Sequence, residues 1–99
     1  MEIAANNVKI VQKEELGGFK FSKIDVLSND ADRKKLRSIY LKKAEILGNN
    51  YKGKVKLTFA DDADNIYAVE TTVWVYSEEF VSLKGGVNIP TKSIIDIEF

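Results

Sequence analysis

The chain of 99 residues contains no cysteine and no histidine, which excludes disulfide bonds, thiolate nucleophiles, Cys/His zinc sites and catalysis by an imidazole. Its apolar fraction of 44% is typical of a globular protein, and a single domain over residues 1–99 is expected. The net charge is zero, but residues 1–60 carry 13 basic and 7 acidic side chains and residues 61–99 carry 2 and 8, giving halves of +6 and −6. The first half would attract an anionic partner unless the two halves neutralise each other in the fold.

The sequence gives no sign of a membrane segment or a secretory signal. No stretch approaches the roughly 18–20 apolar residues of a membrane span. Residues 1–11 include Glu2 and Lys9 and lack the long apolar core of a signal peptide. We therefore expect a cytoplasmic protein without a membrane partner, although a mature form whose signal has been removed would look the same.

Residues 1–27 are expected to form a short N-terminal β or irregular segment. Val8–Val11 is apolar at three positions and favours a short strand. The pair Gly17-Gly18 predicts a turn, because glycine adopts positive φ without strain. Phe19-Lys20-Phe21 alternates as a half-buried strand does, and residues 24–27 would extend that strand.

One helix is predicted over residues 30–47. The cluster Ser28-Asn29-Asp30 supplies residue types that cap helix N-termini, and Gly48 would follow the last turn as the C-terminal glycine. Apolar residues recur every three or four positions and form one stripe. The predicted stripe consists of Leu36, Ile39, Tyr40, Ala44 and Leu47.

From residue 52 onward the apolar period becomes two, which predicts antiparallel β structure over residues 52–99. The expected strands are Val55–Phe59, Ile66–Tyr76, Phe80–Leu83, Val87–Ile89 and Ile94–Phe99. Gly85-Gly86 indicates a tight hairpin, and Pro90 must lie at a strand end or edge because it has no N–H to donate. The predicted fold class is α+β, with one main helix followed by a strongly bent five-stranded antiparallel sheet or a small SH3-like or Sm-like barrel.

Side-chain alternation along the long strand predicts which residues enter the core. Val73 and Val75 would point inward, whereas Trp74 and Tyr76 would share the opposite face with Glu70. The expected core comprises Val55, Leu57, Phe59, Val69, Val73, Val75, Val81, Leu83, Ile95 and Ile97. The outward aromatic pair would either contact a partner or be covered by the helix or the N-terminal segment.

Two stretches carry resemblances. Val69–Val75 followed by Val81–Pro90 resembles a family of small uncharacterised bacterial proteins, which implies a helix followed by a small β-barrel and no assigned activity. Leu83-Lys84-Gly85 before Val87, with Asp61 and Asn65-Ile66 at an earlier turn, is similar to the motifs of Sm-like RNA-binding proteins. That likeness implies RNA binding, but Lys84 stands where the family has arginine, and Asp62 and Asp64 add negative charge.

Two charged clusters have competing interpretations. Asp61, Asp62 and Asp64 supply oxygen ligands for a hard cation, yet their spacing fits a solvated turn better, and no metal is expected. The helix is basic on its polar face. Its cations are Arg33, Lys34, Lys35, Arg37, Lys42 and Lys43. They would contact phosphates or an acidic protein, pair with Glu70, Glu78 and Glu79 within the fold or across a dimer, or simply face solvent.

The chain lacks cysteine and histidine, and one predicted strand carries Trp74 and Tyr76. Together these features predict a non-catalytic binding or protein-interaction module that self-associates. The alternative is an Sm-like nucleic-acid-binding barrel that uses the basic helix face. No cofactor is expected, and an enzyme is not expected because no catalytic pair is recognisable. The candidate interaction surface consists of Trp74, Tyr76, Arg33, Lys34, Arg37 and Lys84.

Overall fold

The computed structural model describes residues 8–99. Residues 1–7, which include most of the stretch searched for a signal, lie outside the described residues. The strands are β1 (Val8–Ile10), β2 (Val55–Ala60), β3 (Ile66–Thr71), β4 (Val73–Tyr76), β5 (Phe80–Leu83), β6 (Asn88–Pro90) and β7 (Ile94–Glu98), and the helix α1 (Ala31–Tyr51) lies between β1 and β2. The α+β class is thereby confirmed. Within residues 8–99, no helix combines the length and apolar character needed to cross a membrane.

The strands form two sheets that do not close into a barrel. A four-stranded sheet has the order β1-β3-β2-β7, and β1 pairs with β3 in parallel. A three-stranded sheet has the order β4-β5-β6, in which every pairing is antiparallel. The expected single five-stranded sheet is wrong because the predicted strand Ile66–Tyr76 divides at Thr72 and contributes to both sheets.

The division of that strand is visible in its burial and hydrogen bonds. Thr71, Thr72 and Val73 are all buried, so side chains do not alternate there. Thr71 pairs with Val55 in the larger sheet, whereas the carbonyl of Thr72 accepts a hydrogen bond from the backbone N–H of Lys84 at 3.0 Å. The chain therefore leaves one sheet and enters the other within a single residue.

A β-bulge at Trp74 reverses the side-chain alternation along β4. Val73 pairs with Leu83 and Val75 pairs with Ser82, so one extra residue of β4 lies between two consecutive residues of β5. Val73 is buried and Trp74 is exposed, as predicted. Val75 is exposed and Tyr76 packs against the core, so the predicted orientations of these two residues are wrong.

The helix begins where predicted and ends later. The Asp30 carboxylate accepts the backbone N–H of Arg33 at 3.0 Å, so Asp30 is the member of the predicted Ser28-Asn29-Asp30 cluster that caps the helix. The helix continues through Gly48 to Tyr51, and Lys52, at a φ of 54°, forms the C-cap. Its buried residues are Arg37, Leu41, Ala44 and Gly48. Of the predicted stripe, Ala44, Tyr40 and Leu47 contact the main core, whereas Leu36 and Ile39 are exposed. The helix packs against both β4 and β7.

Gly48 lies inside the helix because β4 passes very close to it. A Cβ atom added to Gly48 would overlap the carbonyl oxygen of Val73 and lie 3.0 Å from Cγ2 of Thr72. Any other residue would hold α1 away from β4. The predicted role of Gly48 as a C-terminal cap is therefore wrong, and the glycine serves helix–strand packing instead.

The segment between β1 and α1 is less regular than predicted. Lys13–Gly18 forms a 3-10 helix, and the glycines with positive φ in the described residues are Gly85 and Gly86 of the β5–β6 hairpin, at 96° and 87°. Phe19 and Phe21 do not form a strand; Phe21 makes one isolated bridge with Asp61. Their rings pack instead against Phe59, with centroids 5.6 Å and 5.5 Å away.

Two clusters of buried side chains stabilise the fold. The larger includes most of the predicted core together with residues of the helix and the N-terminal segment. Its members are Val11, Leu16, Leu41, Ala44, Val55, Leu57, Phe59, Val69, Val73, Val81, Leu83, Ile89, Ile94 and Ile97. The smaller consists of Leu27, Ala60 and Ile95. Ile95 leaves the main core because β7 shifts register against β2 between Thr58 and Phe59.

Candidate protein-interaction surface

The face of the three-stranded sheet that points away from the core carries large apolar side chains. Val75 pairs with Ser82, which lies two residues from Phe80 on β5, so Val75 and Phe80 share a face. Trp74 is the extra residue of the bulge beside Val75, and both are exposed. The side chains of Val75, Phe80 and Trp74 are 54%, 48% and 48% exposed. We call Trp74, Val75 and Phe80 the outer sheet face.

The sheet beneath this face is firmly held. Its opposite side contributes Val73, Val81, Leu83 and Ile89 to the main core. Within the turn from β4 to β5, the hydroxyl of Ser77 accepts the backbone N–H of Phe80 at 3.0 Å. These contacts within the chain hold the outer sheet face in place.

Helix side chains occupy the open edge of β4. The carboxylate of Glu45 accepts the backbone N–H of Tyr76 at 2.9 Å, and the amide of Asn49 donates to the carbonyl of Trp74 at 2.9 Å. Lys42 lies 2.7 Å from the other oxygen of Glu45. Hydrogen bonds from Lys42 and from the Tyr76 backbone lower the pKa of Glu45. The edge that would otherwise accept another strand is thus covered, and the backbone that carries Trp74 is fixed.

The predicted candidate residues do not form one continuous surface. Trp74 lies on the outer sheet face, but Tyr76 packs partly into the core. Lys84 is exposed in the β5–β6 hairpin, and Lys34 is exposed near the N-terminal end of the helix. Val75 was not predicted, because a bulge depends on the pairing with β5 and alternation within one strand does not reveal it. Phe80 was not predicted either, although alternation with Val81 and Leu83 along β5 places it on the outer side.

Arg37 is buried and belongs to the interior. Its guanidinium donates two hydrogen bonds to the carboxylate of Asp25, at 2.8 and 3.0 Å, and one to the carbonyl of Ile94 at 3.0 Å. Burial raises the pKa of Asp25, but hydrogen bonds from Arg37 and Leu27 and the charges of Arg37 and Lys34 outweigh it and lower the pKa. Arg37 joins the N-terminal segment to the helix and β7, and its assignment to an interaction surface is wrong.

Arg33, the remaining predicted cation, is half-buried on α1. Two lysines of the basic helix contact carboxylates other than Glu70, Glu78 and Glu79, and the expected pairing across a dimer stays a prediction. Lys34 lies 3.8 Å from Asp25, and Lys42 pairs with Glu45.

The side of α1 opposite its buried residues is both apolar and basic. Leu36, Ile39 and Ile46 are between 43% and 49% exposed. Ile39 and Ile46 lie seven residues apart and therefore share one face. Lys35 with Lys42 forms the row on one side of them, and Leu36 with Lys43 forms the row on the other. We call Lys35, Leu36, Ile39, Lys42, Lys43 and Ile46 the outer helix face.

The aspartate cluster forms a turn. The carboxylate of Asp61 accepts the backbone N–H groups of Ala63 and Asn65, both at 2.9 Å. Burial raises the pKa of Asp61, but these hydrogen bonds and those from the side chains of Asn65 and Tyr67 outweigh it and lower the pKa. Across residues 8–99, no three acidic side chains are grouped as a metal site.

Comparison with known proteins leaves the function to be argued from this geometry. No protein-family model, no curated protein and no solved structure matches the chain. The resemblances to small bacterial proteins and to Sm-like proteins stay predictions.

Proposed function

We propose that the chain is a non-catalytic protein-interaction module that binds through the outer sheet face. The observation that carries the proposal is the exposure of Trp74, Val75 and Phe80 together on one side of a small sheet. Large apolar side chains that are exposed side by side are typical of protein interfaces, where tryptophan contributes much of the binding energy. Covering them would remove apolar surface from water.

The support beneath this face favours tight binding over loose contact. Asn49 and Glu45 hold the β4 backbone on both sides of Val75. A surface that is already ordered loses little conformational entropy when a partner binds. The same two side chains block strand addition at β4, so the partner would lie across the face of the sheet instead of extending it.

A nucleic-acid partner is the alternative. The contacts of the basic helix favour a protein, because Arg37 is buried against Asp25 and Lys34 lies beside the same carboxylate. The outer helix face places isoleucines between its lysines, whereas single-stranded nucleic acid is usually bound by aromatic side chains among cations. Titration with RNA and single-stranded DNA at ~50 mM salt, where phosphate contacts are strong, separates the two classes.

The proposal is tested by comparing partners captured by the wild-type protein and by the double variant Trp74→Ser/Phe80→Ser. Ile24→Ser is the matched control, because Ile24 is exposed but lies in the segment before the helix. A protein retained by the wild type and the control but not by the double variant is then purified and titrated against the wild type. Trp74 is the only tryptophan, so its emission should shift to shorter wavelength on binding.

Two results would contradict the proposal. The first is that the double variant retains the same proteins as the wild type. The second is a purified partner that saturates the wild type without changing the emission of Trp74.

A further inference from the structure

The two exposed apolar faces of this chain carry opposite charge. On the outer helix face, lysines flank the isoleucines on both sides. On the outer sheet face, Phe80 directly follows Glu78 and Glu79, which are both exposed at the turn from β4 to β5. Lys84 follows the other end of β5, so the outer sheet face is acidic only at the end where Phe80 lies.

The outer helix face leaves large apolar side chains exposed to solvent. Helices on a protein surface normally bury one stripe and present polar residues on the opposite side. Here Ile39 and Ile46 lie opposite the buried Leu41 and Gly48, and about half of each isoleucine is exposed. Within the described chain, these isoleucines belong to neither of the two core clusters.

We propose that the partner of the outer sheet face is a second copy of this chain, which docks through its outer helix face. This proposal rests on the proposed function and names its partner. Isoleucines would pack against Trp74, Val75 and Phe80, and Lys35 and Lys43 would lie near Glu78 and Glu79. Pairing two outer helix faces would instead bring lysines against lysines, which is unfavourable.

Contacts between unlike faces have a testable consequence for assembly. Each copy offers one outer helix face and one outer sheet face, so association gives a two-fold dimer with two equal contacts, a larger ring or an open filament. Reversing the charge of one face weakens every contact in the assembly. When one molecule has its outer helix face reversed and the other its outer sheet face, every contact between the two molecules again joins opposite charges.

The experiment measures molar mass by sedimentation and light scattering for the wild type and two charge-reversed variants. The variants are Lys35→Glu/Lys43→Glu and Glu78→Lys/Glu79→Lys, in which all four residues are exposed. Each variant alone should associate about tenfold more weakly than the wild type or worse. An equimolar mixture of the two should regain association and contain both chains.

The control variant is Lys20→Glu/Lys23→Glu, which reverses two exposed charges outside both faces and should associate as the wild type does. Circular dichroism and thermal melting of each variant verify that it is folded. The proposal is overturned if the wild type stays monomeric up to about 1 mM, the weak end of specific binding. It is also overturned if either reversed variant associates normally alone, or if the mixture does not associate.

The outcomes separate this proposal from the proposed function. A monomeric wild type that still binds another protein through Trp74 leaves the proposed function intact and removes the second copy as partner. Self-association that survives Trp74→Ser/Phe80→Ser overturns the present proposal, because the outer sheet face would then play no part in it, and the capture experiment alone decides the proposed function.

Discussion

The backbone N–H of Tyr76 donates a 2.9 Å hydrogen bond to the carboxylate of Glu45, so a helix side chain occupies the position that a neighbouring strand would take beside β4. Asn49, one turn later, donates to the carbonyl of Trp74. These two contacts connect the packing of α1 with the orientation of the outer sheet face. They also occupy backbone groups at the edge of β4 to which another strand would otherwise bond.

Glu45→Ala should lower the free energy of unfolding by about 1–2 kcal/mol, because the N–H of Tyr76 loses its acceptor. Glu45→Gln should cost less, since its amide oxygen can still accept this bond. Urea denaturation of both variants measures the difference, with Glu78→Ala as a control at an exposed position. Equal losses for Glu45→Ala and Glu78→Ala would contradict the role assigned to Glu45.

Gly48→Ala should destabilise the protein by about 1–3 kcal/mol through overpacking, although alanine is the better helix former. The added methyl group would overlap the carbonyl of Val73 and force α1 away from β4. Gly17→Ala is the matched control, because nothing lies within 4 Å of a Cβ at Gly17. Thermal melts of both variants decide the matter, and a stabilised Gly48→Ala would show that α1 and β4 do not approach so closely.

Asp25→Ala should cost about 3–5 kcal/mol, because it leaves the buried guanidinium of Arg37 without its counter-charge. Lys34→Ala removes the exposed partner of the same carboxylate and should cost less than about 1 kcal/mol. Denaturant unfolding compares the two variants. Similar losses would mean that the ion pair with Arg37 contributes no more than a surface contact.

The same ion pair predicts a pH dependence. The pKa of Asp25 in the folded protein lies below its ordinary value of 3.8. The stability from this pair is therefore present above pH 3.8 and is lost as the pH falls through the lower, folded-state pKa. Asp25→Asn should lose less stability than the wild type over that acid range. Parallel pH profiles for the two proteins would contradict the assignment.

Local features of the fold could be predicted from the sequence, whereas features that depend on distant contacts could not. Asp30 as the helix cap and Gly85-Gly86 as the hairpin turn follow from residue type and nearby spacing. Arg37 was expected on the basic surface because its partner Asp25 precedes the helix and gives no periodic signal. Gly48 was expected to end the helix because only the approach of β4 reveals its packing role.

The candidate site was predictable in part for the same reason. Trp74 was correctly placed outside the core, because alternation from Val73 requires it. Past Trp74 the bulge shifts the alternation by one residue, so Val75 replaces Tyr76 on the exposed face. Predicting that shift would require the register against Ser82, which lies on another strand.

Aspartate substitutions in β4 test the bulge directly. Val73→Asp should unfold the protein, because burying an unpaired charge costs several kcal/mol out of a total stability of about 5–15 kcal/mol. Val75→Asp should stay folded and lose less than about 1 kcal/mol, since Val75 is exposed. Thermal melts followed by circular dichroism compare the two. An unfolded Val75→Asp would mean that side chains alternate along β4 without interruption.

Acrylamide quenching of Trp74 fluorescence in dilute protein tests the central claim most directly. The claim is that the outer sheet face is open in the isolated chain and is covered by a partner. Since Trp74 is the only tryptophan, the signal reports on this face alone. We predict ready quenching in the dilute folded protein and clear protection at concentrations where the chain associates. Quenching as weak as that of a buried tryptophan in the dilute monomer would contradict the account.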